Sequence, residues 1–258
     1  MDEKTICHAI KELTKYQYIS LEKRCNHAIK KALKQAKEKG FTRLFIPDEG
    51  GWITYKQFGE KLKFEIVTIK TNRGIIDPSS VQLTSTDVLI LHSLAGYHSV
   101  QPCEKIRQVC DKTKALFIED CCGAPQLEHF GHILVCSFGK GKPINYGQGG
   151  FYATNDESLF SPSTIESYIS DELYTKITQV QKHLDLFYNK REELRQLFTE
   201  YEPIGDEYAI VLIIPFETDE QKNHIIEKAN IARIEYEECP RYIRTNSQAI
   251  SLEIKRLY

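Results

Sequence analysis

A chain of 258 residues, 41% hydrophobic and 27% charged, has the apolar content to bury a substantial core, as one globular unit or as a large domain with a smaller one attached. Its formal net charge of −2 provides no basic surface for a phosphate backbone, which sets nucleic acid aside, and no apolar run approaches the roughly 20 residues that cross a bilayer. Met1-Asp2-Glu3-Lys4 lacks the basic-then-apolar build of a secretion signal, and eight cysteines without a CxxC pair fit a reducing compartment. A soluble, cytoplasmic protein without disulfides or a metal site is therefore expected.

From Ser20 to Lys39, Leu21, Ala28, Ile29, Ala32, Leu33 and Ala36 recur at helical spacing, with Gly40 as the stop, so a helix is predicted over that span. An apolar run Leu44-Phe45-Ile46 ended by Pro47, a short helix from Trp52 to Leu62 and a β-rich run from Phe64 to Ile69 follow as strand, helix and strand. The pattern repeats with a strand Asp87 to His92, a helix from about Gln101 to Lys114 and a strand Ala115 to Asp120. Two more strands, His132 to Phe138 and Gly150 to Thr154, leave no room for a helix between them.

Continuous apolar strands separated by helices require burial on both faces, so the fold class is α/β, a mainly parallel central sheet with helices on both sides. Past Thr154 the pattern changes. A long helix is predicted from Ser163 to Tyr201, then a strand Tyr208 to Phe216, a helix capped by Thr218 with Gln221 three residues on, and a short strand near Ile234 to Tyr236. We read residues 1–162 as a large α/β domain and residues 163–258 as a linking helix with a small α+β domain.

The segment from Leu116 to Thr154 holds the chemistry. Asp120 ends one strand, and the glycine-rich stretch from Ser137 to Lys142 leaves the end of another, where ligands of open α/β sheets bind. Singly, Asp120 reads as a turn residue, and Lys140 and Lys142 as solvated loop charges. Together, Glu119-Asp120, Ser137-Phe138-Gly139-Lys140-Gly141-Lys142 and Gly147-Gln148-Gly149-Gly150 resemble the DegT-type (DegT/StrS) sugar aminotransferases, fold-type I enzymes dependent on pyridoxal 5′-phosphate (PLP). The resemblance implies Lys142 as the residue that holds PLP as a Schiff base, Asp120 as partner of the pyridine nitrogen and Ser137 as a donor to the cofactor phosphate. Lys140 is a rival for the imine, separated from Lys142 only by the interval to Gly147.

Other positions follow the family less closely. Relatives hold the phosphate on a Ser-Gly-Thr turn at a helix start; here Lys23-Arg24-Cys25-Asn26-His27-Ala28 stands in its place, with Arg24 and Asn26 as phosphate ligands or as a charged helix surface. Trp52, the only tryptophan, follows Pro47-Asp48-Glu49-Gly50-Gly51 and is a candidate to stack on the pyridine ring or to pack in the core. His92 and Gly96 are similar to a His-x-x-Gly element, one residue out. Gly123 replaces the Gln or His that relatives carry three positions after the aspartate, with Gln126 as a loop candidate for that duty. Arg241 and Arg244 are candidates for a substrate carboxylate, or surface arginines.

The resemblance implies an aminotransferase that moves an amino group from a small-molecule donor such as glutamate to a keto-sugar or other carbonyl acceptor, working as a homodimer. A lyase, racemase or desulfurase would use the same cofactor. The missing phosphate turn and Gly123 also leave open a catalytically degenerate binding scaffold.

Overall fold

The computed structural model describes residues 2–162 and 169–257. In chain order the first half comprises α1 (Glu3–Thr14), β1 (Tyr18–Glu22), α2 (Cys25–Glu38), β2 (Arg43–Pro47), α3 (Ile53–Lys61), β3 (Glu65–Ile69), β4 (Asp87–His92), a small ribbon of β5 (Leu94–Ala95) and β6 (Ser99–Val100), α4 (Cys103–Thr113), β7 (Leu116–Asp120), β8 (Ile133–Ser137) and β9 (Gly150–Thr154). The second half adds α5 (Asp171–Thr178), α6 (Val180–Leu197), β10 (Leu212–Pro215), α7 (Asp219–Ile231), β11 (Tyr236–Cys239) and β12 (Ala249–Leu252).

Seven strands form the central sheet in the order β1-β9-β8-β7-β4-β2-β3. The pairs among β3, β2, β4, β7 and β8 are parallel, and β9 joins β8 and β1 antiparallel. The mainly parallel α/β architecture expected from the sequence is present. A second, antiparallel sheet, β10-β12-β11, carries α7, whose start is a complete capping box between Thr218 and Gln221.

Strand alternation explains the continuous apolar runs. Val88 and Ile90 of β4 and Ile118 of β7 face a core with Ala28, Ile29 and Leu33 of α2, whereas Leu89, Leu91 and Phe117 face Ile106 and Cys110 of α4. A third core joins Leu134, Phe151 and Ala153 to α1, α5, α6 and the small sheet through Ile6, Leu173, Leu184, Phe187, Ile213 and Ile250. Among the described residues no helix is long and apolar enough to cross a membrane.

Several expectations need correction. The helix predicted from Ser20 starts at Cys25, because Tyr18–Glu22 pairs with β9 along the sheet edge and Arg24 is extended, at φ −159°. Ser163 to Tyr201 is not one helix: residues 163–168 lie outside the described residues, and Gln179 interrupts the rest between α5 and α6. The strand predicted over Tyr208 to Phe216 is confined to β10. The one near Ile234 lies later, at β11, since Ile234 N–H still donates to Ala229 O and ends α7. The helix α1 and strands β1 and β12 are findings of the structure.

Candidate functional site

Sheet alternation sends Glu119 and Asp120 to opposite faces. Glu119 points to the α4 side, where His129 Nδ1 lies 2.8 Å from Oε1 and the N–H groups of Phe130 and Gly131 donate to Oε2, so its task is to clamp the loop before β8. Asp120 shares the α2 face with Ile118, and Ser137 at the end of β8 shares it with Ile133 and Val135. Both therefore reach the N-terminal end of α2, at the carboxyl edge of the parallel strands.

There they line a cavity of about 300 Å³ with Lys142, Trp52, Asn26 and Tyr97. Asp120 is buried, at 2% exposure, and its Oδ2 accepts from the Tyr55 hydroxyl at 2.7 Å while Oδ1 accepts from Cys122 N–H at 3.0 Å. A carboxylate fixed on both oxygens keeps one orientation. Lys142 Nζ donates to the Tyr97 hydroxyl and lies 5.3 Å from the centre of the Trp52 ring. Burial works against the lysine's charge, but Tyr97, Cys122 and Asp120 outweigh it and raise its pKa; burial pushes the Tyr97 hydroxyl up to about 12.

Trp52 is partly buried, and its Nε1–H donates to Asn26 Oδ1 at 3.0 Å, so the first turns of α2 and α3 hold the indole between them. Asn26 also accepts from Thr54 Oγ1 at 3.3 Å, which leaves only its amide N–H groups for a ligand. Ser137 Oγ accepts from Gly139 N–H at 3.1 Å and retains its own proton to donate. Arg24 is the N-cap of α2 and makes no side-chain capping hydrogen bond, and Arg24, Cys25 and Asn26 form one wall of the cavity, at the positive end of the helix dipole.

The two rival lysines separate in space. Lys140 is exposed and borders a neighbouring cavity of about 500 Å³ with Lys255 and Arg256, whereas Lys142 enters the cavity of Asp120. Other candidates stand elsewhere. Gln126 Nε2 donates to the Tyr188 hydroxyl at 3.1 Å and does not reach the cavity wall. Arg244 is neither a surface residue nor open to a carboxylate ligand: at 1% exposure it grips Glu253 through Nε at 2.9 Å and Nη2 at 2.6 Å. Arg241 pairs with Glu237.

Tyr97 and Tyr55 were not singled out from the sequence. Tyr97 adopts φ 68°, a backbone conformation that a bulky residue takes only when its surroundings enforce it. Its ring has Lys142 Nζ at 4.2 Å, Lys255 Nζ at 5.0 Å and Arg244 Cζ at 5.0 Å from its centre. The only hint was its place immediately after Gly96 in the element that contains His92. Tyr55 lies one helical turn after Trp52, a spacing that Asp120's need for a donor alone could not predict.

Gly123 is also explained by its surroundings. A Cβ there would stand 2.8 Å from His92 Cε1 and 3.1 Å from Tyr97 Cδ1, so the His92 ring fills the space that a side chain at 123 would need. His92 Nδ1 accepts from Leu94 N–H at 3.2 Å, and burial lowers its pKa to about 4, which places the proton on Nε2. That nitrogen is buried and has no partner among the described residues.

Residues 61–169, which carry most of these groups, match the sequence model of the DegT/DnrJ/EryC1/StrS aminotransferase family. The match agrees with the family the sequence resembles. No curated protein matches the chain by sequence. Among solved structures, the crystal structure of 3-amino-5-hydroxybenzoic acid synthase is similar over 98% of this chain and 85% of its own, with a TM-score of 0.70 and 17% identity. The aspartate aminotransferase of subgroup IV from Thermus thermophilus is similar over 100% and 86%, with a TM-score of 0.71 and 10% identity. NtdA from Bacillus subtilis, solved with bound cofactor PMP, is similar over 100% and 74%, with a TM-score of 0.69 and 16% identity. At these identities the likeness is one of fold.

Proposed function

We propose that the chain is a PLP-dependent aminotransferase in which Lys142 holds the cofactor and Asp120 faces its pyridine nitrogen. The observation that carries this reading is the meeting of Lys142, the doubly held Asp120 carboxylate and the Trp52 indole in one cavity at the α2 N-terminus. The donor set fits the group: an amine for the aldehyde, a carboxylate for the ring nitrogen, an aromatic face, and Ser137, Arg24 and helix N–H groups for the phosphate.

Bound PLP supplies an electron-withdrawing ring that acidifies Cα of an attached amino acid. The rest falls to the protein. Asp120 would hold a proton on the pyridine nitrogen, Trp52 would keep water from one face, and the Lys142 Nζ amine would take the proton from Cα as general base. Tyr97 keeps Nζ aimed by accepting its hydrogen bond. An amino acid such as glutamate is the proposed donor, and a keto-sugar or another small carbonyl compound the acceptor, in a cytoplasmic homodimer. Residues 1–162 would carry the cofactor.

The test is to load the chain with PLP, reduce it with borohydride and locate the phosphopyridoxyl group by mass spectrometry, with Lys140→Ala and Lys142→Ala alongside. Labelling on Lys142, lost only in Lys142→Ala, and conversion of bound PLP to PMP by glutamate are expected. No label on a folded wild-type chain would sink the reading.

A further inference from the structure

Two thiols beside Asp120 make no bond in that chemistry. Cys25 opens α2 and Cys122 lies two residues beyond Asp120; their sulfurs are 3.4 Å apart, and both residues are buried at the cavity wall. The two Sγ atoms and a carboxylate oxygen of Asp120 all lie within 4.8 Å of one another. On a tetrahedral ion with metal–sulfur bonds of about 2.3 Å, neighbouring ligand atoms are about 3.8 Å apart. Small side-chain rotations therefore bring all three onto one ion.

We propose that Cys25, Cys122 and Asp120 form a binding site for a thiophilic divalent cation, of the zinc and cadmium kind, with its fourth position open to the cavity. Two sulfurs and one oxygen select soft or borderline cations over magnesium or calcium, which take oxygen donors. The outer contacts suit a ligand set, because the Tyr55 hydroxyl and Cys122 N–H already fix the carboxylate. Cys110, buried in the α4 core and absent from the cavity wall, is the natural control. On binding, each thiol releases its proton to solvent, so two thiolates and one carboxylate meet the 2+ charge.

One carboxylate cannot serve a metal ion and a pyridine nitrogen together. Resting on the reading above, cation and PLP then exclude each other, and a thiophilic metal switches the site off.

The test is a cadmium titration of the reduced full-length chain without PLP, followed by the ultraviolet thiolate-to-metal band. One equivalent is expected to bind, with the band lost in Cys25→Ala and Cys122→Ala and kept in Cys110→Ala, circular dichroism confirming the folds. Asp120→Asn, which retains both thiols, is expected to weaken binding by about tenfold or more. Absence of the band in the wild type, its persistence in either cavity-cysteine variant, or unchanged affinity in Asp120→Asn would each overturn the site. Because cadmium is read without the cofactor, failure of the chain to bind PLP leaves this result standing. The cadmium-loaded chain is expected to take up PLP at least about tenfold more weakly, and equal uptake overturns the exclusion.

Discussion

The Tyr55 hydroxyl donates to Asp120 Oδ2 over 2.7 Å, from the helix that begins just after Trp52, so one element both shapes the indole wall and fixes the carboxylate. Tyr55→Phe removes that donor and leaves a buried oxygen unpaired, at a cost of about 1–3 kcal/mol. A carboxylate held on one oxygen only loses its fixed orientation, so PLP affinity is expected to fall by roughly tenfold. Denaturant unfolding and a PLP titration check the two effects separately; unchanged affinity would mean that Asp120 does not face the cofactor.

Tyr97→Phe tests a different contact. The ring and its neighbours Lys255 and Arg244 remain, while Lys142 loses its acceptor. Because Tyr97 helps raise the lysine's pKa, the pH profile for labelling Lys142 with an amine reagent is expected to move to lower pH. Turnover should drop roughly 100-fold, as for a misdirected general base. Loss of stability with an unmoved profile would make Tyr97 a packing residue only.

That Asp120, Ser137 and Lys142 share one cavity was legible because Asp120 and Ser137 end strands whose apolar runs are easy to read, Lys142 follows the second, and strand ends gather where parallel sheets bind ligands. Tyr97 and Tyr55 were not. Their roles depend on how β4 and α3 are brought over β7, a long-range relation that leaves no local period. The small elements show the same limit. β1 was absorbed into the α2 pattern because Leu21 fits a helical stripe as well as a strand, and only pairing with β9 decides between them. Neither expectation for Arg244, a carboxylate ligand or a surface arginine, foresees its burial, which the structure allows by supplying Glu253 nine residues later.

Gly123 makes a steric prediction. Its neighbours His92 and Leu94, the latter with its Cβ 3.2 Å from where a Cβ at 123 would stand, leave no room for the Gln or His that relatives carry there. Gly123→Gln is expected to destabilise the chain by about 1–3 kcal/mol through overpacking, measured by thermal or denaturant unfolding. Adding His92→Ala should recover much of that loss, since the two side chains compete for one space. Additive losses would show that the clash lies elsewhere.

Acid sensitivity follows from Glu253. Burial alone would raise its pKa, but Arg244, Lys255 and Arg256 face it and hold it down at about 2, against an ordinary 4.5. Ser251 Oγ adds a hydrogen bond at 2.9 Å. A carboxyl whose folded pKa is depressed binds fewer protons folded than unfolded, so its stabilisation is complete above about 4.5 and is lost as pH falls towards 2. Glu253→Gln is expected to be less stable than wild type at neutral pH, with Arg244 left buried without a charged partner, and to show a flatter fall in stability between these pH values. Denaturant midpoints across that range measure both. Because Arg244 stands 5.0 Å from the Tyr97 ring, the same substitution should also loosen the wall that Lys142 leans on, which ties acid loss of the small sheet to loss of the site.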